Sequence, residues 1–142
     1  MGDEAPASRG GKVYLDTPYI RVSWDPDGPW VLVKWKAWAN SAEYREAQEV
    51  VIHALRENHG SRNLIDSTDR KVFSDEDQKW LLENWMPRAA AAGRRWTAIV
   101  LPKSPLGRTI AENLNKHPRS KLINVKLFDT VDEAAAWLST VN

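Results

Sequence analysis

The sequence holds no cysteine, only two methionines and two phenylalanines, and almost no excess charge of either sign. Without cysteine, thiolate catalysis, disulfides and the usual cysteine-based zinc sites are excluded, and a cytoplasmic setting is permitted. The 20 basic and 19 acidic side chains leave a formal net charge of +1, so no strong field draws the whole molecule toward nucleic acid or anionic lipid. The opening MGDEAPASRGGK lacks the apolar core of a signal peptide, and no later run approaches the roughly 20 apolar residues that span a bilayer. A soluble cytoplasmic protein is expected. Tryptophan is the residue in excess, with eight copies in 142 residues.

Residues 1–11, rich in Gly, Ala, Pro, Ser and charge, cannot bury enough apolar surface to offset the entropy of ordering and are expected to form a disordered tail. Residues 12–142 fit a single domain, since a chain of about 150 residues buries roughly 70% of its extended surface.

Within that domain Val13 to Leu15 forms a short strand, and Ile20, Val22 and Trp24 alternate with polar residues as a half-buried strand does. Asp25-Pro-Asp-Gly-Pro29 turns the chain, and Trp30 to Trp38 returns antiparallel. Ser41 caps a helix whose stripe is Tyr44, Ala47, Val51, Ala54 and Leu55, and Gly60 ends it. Asn63 to Asp66 is a strand. A second helix opens at Ser74 behind Asp75, Glu76 and Asp77, buries Leu81, Leu82, Trp85, Ala89 and Ala92, is kinked by Pro87 and stops at Gly93.

Trp96 to Leu101 reads as a buried parallel strand. Ser104-Pro105 starts a helix with Leu106, Ile110 and Leu114 buried, Leu122 to Phe128 is the last strand, and Thr130-Val-Asp-Glu133 forms a capping box ahead of Ala134, Trp137 and Leu138. The order implies a mixed α/β sheet with right-handed crossovers and an antiparallel pair at its start.

With NLIDST at the third strand, DQKWLLENWMPRAAAAGRRWTAIVLP through the kinked helix into the next strand, and FDTVDEAAAWL at the end, the chain resembles the STAS/SEC14-type, anti-sigma-factor-antagonist-like (SpoIIAA-like) family over residues 12 to 140. The resemblance implies a mixed sheet of four to five strands with about four α-helices, mostly on one face, in a small bacterial domain. It further implies a non-enzymatic role in partner switching or ligand sensing, with no cofactor, metal or catalytic residue.

Antagonists of this family end their third strand in Asp-Ser-Ser/Thr-Gly, and a Ser or Thr after the Asp is phosphorylated by the anti-sigma kinase. The resemblance thus makes Ser67 and Thr68 candidate phosphoacceptors, with Asp66, Asp69 and Ser74 in the switch loop. Here Asp69 replaces the expected Gly, and the helix waits until Ser74. The same Asp66 and Ser67 also fit plain turn residues that bond the local backbone.

A second reading uses the tryptophans: Trp35, Trp80, Trp85 and Trp96 are candidates to line a groove for a protein partner or a small apolar, lipid-like ligand. The short stretch from Lys34 to Trp38 is a weak footprint for nucleic acid, and Arg94-Arg95 reads as a pair serving the negative end of a helix dipole. His53, His59 and His117 share no metal-ligand spacing, and PKSPLGRT lacks the first Gly and the Lys of a P-loop. An edge strand leaves a homodimer open.

Overall fold

The computed structural model describes residues 11–70 and 72–141; of the expected tail only Gly11 falls within them. Six strands form one sheet in sequence order: β1 Lys12–Asp16, β2 Ile20–Asp25, β3 Trp30–Trp35, β4 Arg62–Asp66, β5 Trp96–Val100 and β6 Asn124–Phe128. β1, β2 and β3 are antiparallel neighbours, and β3 to β6 run parallel. The sheet exceeds the expected four to five strands because Lys12–Asp16 pairs with β2, with a register shift between Val13 and Leu15.

Strand order dictates where the helices go. Each crossover from β3 to β6 adds its strand on the same side of the last, so right-handed connections put their helices on one face. These are α1 Ser41–Glu57, the rod formed by α2 Asp75–Trp80, a π turn Leu81–Trp85 and α3 Met86–Ala91, and α4 Pro105–Lys116. Among the described residues, only α5 Val131–Leu138, which follows the last strand, covers the other face, over β4 to β6. The larger core joins Ile20, Val22, Val31, Val33 and Trp35 to Tyr44, Val51, Leu55, Leu81 and Trp85. The smaller joins Leu64, Ala98 and Val100 to Ala134 and Leu138.

Local differences from the sequence reading have physical causes. β3 ends at Trp35, and Trp38 stands 61% exposed on the following loop. The cap of α1 is Asn40, whose Oδ1 accepts from the Glu43 N–H while the Glu43 carboxylate accepts from the Asn40 N–H. Ser41 instead donates to Asp77 at 2.7 Å.

α1 closes with a Schellman turn in which His59, at φ 50°, takes the left-handed position and the Gly60 N–H reaches Leu55 O. Gly60 is needed for room, because a Cβ there would sit 3.1 Å from the Trp24 ring. The disturbance expected at Pro87 shows as the π turn just before it, where the Met86 N–H bonds Leu81 O, five residues back. Leu106 is 60% exposed and Leu122 55%, the latter because Pro118–Leu122 is a 3₁₀ turn before β6 rather than its start.

Candidate functional site

The carboxyl end of the parallel strands is where loops converge in such a sheet. Each of β3, β4, β5 and β6 is followed there by an exposed apolar side chain: Trp38, Val72, Leu106 and Val131. Four of the six large exposed hydrophobics among the described residues thus share one end of the molecule. Charged pairs lie among them, Lys103 with Asp69 at 3.3 Å and Arg108 with Asp129 at 3.1 Å.

The loop after β4 is built from its own residues. Asp66 Oδ1 accepts the Thr68 N–H at 3.0 Å and the Thr68 hydroxyl at 2.6 Å, while Oδ2 takes Lys34 Nζ at 3.2 Å. Burial alone would raise this carboxyl, but the bonds from Thr68 and Lys34 outweigh it and hold Asp66 below the ordinary carboxylate range. The Ser67 N–H donates to Val100 O, and the Lys103 N–H to Thr68 O, which fasten the loop to the end of β5. Ser74 caps α2 by accepting the Asp77 N–H, and buried Asp77 receives Ser41 and Arg45 from α1. Both ends of the segment from Asp66 to Ser74 are therefore fixed; between them Asp69 and Val72 are exposed while Arg70 turns inward onto Trp35 and Phe73.

The two phosphoacceptor candidates differ. Ser67 is 3% exposed and faces the interior, whereas Thr68 is only half-buried at the surface beside exposed Asp69. Asp66, on the same sheet face as Lys34, points away from Ser67.

The four tryptophans do not share one groove. Trp35 and Trp85 are core residues, each 2% exposed, and Trp85 Nε1 donates to Gln48 O at 2.7 Å, tying the π turn to α1. Trp80 meets Tyr44 edge-on. Trp96 lies on the opposite face with Trp137 and Phe128, because strand alternation sends Trp96, Ala98 and Val100 toward α5 and Thr97 and Ile99 the other way.

Between the sheet and α1, the π turn and α4 lies a cavity of about 80 Å³, walled by Val33, Val51, Ile99, Met86, Ile110 and Leu114. Ser67, Asn63, Arg70 and Arg94 also border it. The sequence suggests that Arg94 serves the negative end of a helix dipole. In fact Gly93, at φ 113°, is the left-handed residue of a second Schellman turn, and the Arg94 N–H bonds Ala89 O, which folds Arg94 back inside at 3% exposure. Gly93-Arg94 carried the available signal, since the residue after a Schellman glycine packs against the helix end.

A sheet that opens with antiparallel strands, continues in parallel and carries most of its helices on one face is the STAS-like fold, that of anti-sigma-factor antagonists. The chain is similar to the solved structure of the anti-sigma factor antagonist SpoIIAA in its unphosphorylated form, at a TM-score of 0.51 and 14% identity, over 89% of this chain and 94% of that one. No protein-family model and no curated protein matches the sequence.

Proposed function

We propose that this chain is a non-catalytic regulatory domain that docks a protein partner through the loops at the carboxyl end of its parallel strands, with Thr68 as the phosphate acceptor that controls docking. The observation that carries this reading is the gathering of Trp38, Val72, Leu106 and Val131 around the Thr68 loop, apolar side chains among charged pairs as in a protein interface. Its fold neighbour is named as an anti-sigma factor antagonist, solved in an unphosphorylated form, which supports both parts of the proposal.

Of the two phosphoacceptor candidates, Ser67 and Thr68, Thr68 is the reachable one. A phosphoryl group on it would remove the hydroxyl's bond to Asp66 and set nearly two negative charges beside that carboxylate and an apolar patch. Docking would then weaken through repulsion and desolvation cost.

The test is a photo-crosslinking residue placed at Leu106, and separately at exposed Arg56 at the other end of the molecule, in the protein's own host. A discrete adduct with another protein is expected at Leu106 and not at Arg56. Identical adducts from both positions, or an adduct only between two copies of this chain, would refute the proposed face.

A further inference from the structure

The cavity beneath the helices carries a charge that the protein does not neutralise. The Arg94 guanidinium lies 4.8 Å from the Trp85 ring centre, its Nε is buried without a partner, and no hydrogen bond or ion pair to it occurs among the described residues. Burial pushes its pKa down to about 9, which leaves it cationic at neutral pH. A buried cation normally has a paired anion, since leaving water uncompensated is costly. The second arginine at the cavity, Arg70, is occupied differently: it stacks on Trp35, Tyr44 and Phe73 and lies within the field of Asp77.

Three more polar atoms on this side are unpaired, Arg70 Nη2, Asn63 Oδ1 and Thr97 Oγ1, the last two on residues that are register partners in β4 and β5. Most of the remaining wall is apolar: Val33, Val51, Ile99, Met86, Ile110 and Leu114. The Arg94 guanidinium, with no anion beside it among the described residues and in a largely apolar chamber, matches a negative charge attached to a hydrocarbon body, whereas Arg70 lies within the field of Asp77.

We propose that the cavity binds a small organic monocarboxylate, its carboxylate on Arg94 and its apolar body between the sheet and α4. Val72 borders both this cavity and the docking face, but the proposal stands or falls without the docking reading.

The test is calorimetric titration of the full chain with hexanoate, octanoate and benzoate, with octanol and inorganic phosphate as controls. At least one carboxylate should bind one-to-one, and octanol and phosphate should bind about tenfold more weakly or worse. Arg94→Met, which keeps the volume and removes the charge, should weaken the carboxylate about tenfold or more. Ala111→Phe, which narrows the cavity from α4, should block it. If Arg94→Met fails to fold, the octanol comparison and Ala111→Phe decide. The proposal is overturned if no carboxylate binds, if octanol or phosphate matches the best carboxylate, if Arg94→Met binds unchanged, or if Ala111→Phe has no effect.

Discussion

At the scale of single residues, Asp66 and Arg94 show two ways of keeping a charge inside a small domain. Asp66 is surrounded by donors from Thr68 and Lys34, so its folded-state pKa lies below the unfolded one. Such a carboxylate contributes stability that is fully present above its unfolded pKa of about 4 and is lost as pH falls through the lower folded value. Asp66→Asn should therefore lower stability at neutral pH and flatten the acid limb of a Tm-against-pH curve; an unchanged acid limb would contradict the assignment.

Arg94 has no such partners, and replacing a buried uncompensated charge by an apolar side chain of similar volume is often neutral or stabilising. Thermal denaturation of Arg94→Met should show a Tm equal to or above that of the parent, the mark of a residue kept for something other than stability. The Asp66 turn was legible in the sequence, because an Asp followed by Ser and Thr at a strand end commonly bonds its own backbone. The interior course of Arg94 was not, since charge and helix-end position argue for solvent until the Schellman turn is seen.

Among the elements, the turns decide more than the helices do. Gly93 sits at a φ that side-chain-bearing residues rarely adopt, and a Cβ there would also approach Gly60 O at 3.3 Å. Gly93→Ala should cost about 1–3 kcal/mol in chemical denaturation, from the strained conformation alone. Asn40→Ala, which removes one half of the capping box of α1, should cost about 0.5–2 kcal/mol in the same assay.

Element order and most boundaries could be read from period and caps, including the starts at Ser74, Ser104 and Thr130. The cap of α1 fell one residue early because Asn40 and Ser41 are both good caps, and only the contact with Asp77 separates them. Trp96 joined the wrong tryptophans for a different reason. Alternation shows that Trp96 and Thr97 face opposite ways, but which face receives α5 follows from strand order, a property of the whole sheet.

For the whole molecule, the parallel strands carry two distinct features close together: an outward patch with one apolar side chain after each strand, and an inward cavity with an unpaired guanidinium. The segment between β4 and α2 borders both, Ser67 facing in and Thr68 facing out. Neither was visible from composition, because a surface patch and a cavity depend on residues far apart in sequence that one sheet edge assembles. The fold itself was visible, since the antiparallel opening and the later helix-and-strand alternation are written in local periodicity.

The docking claim is tested most directly by comparing the Leu106 photo-crosslink in the host between the parent chain and Thr68→Glu, with folding of both checked by circular dichroism. The account predicts a discrete adduct with another protein in the parent and its loss in the variant, where the added charge stands in for a phosphoryl group. An adduct of equal strength in both chains would contradict control by Thr68, and no adduct in the parent would contradict the docking face itself.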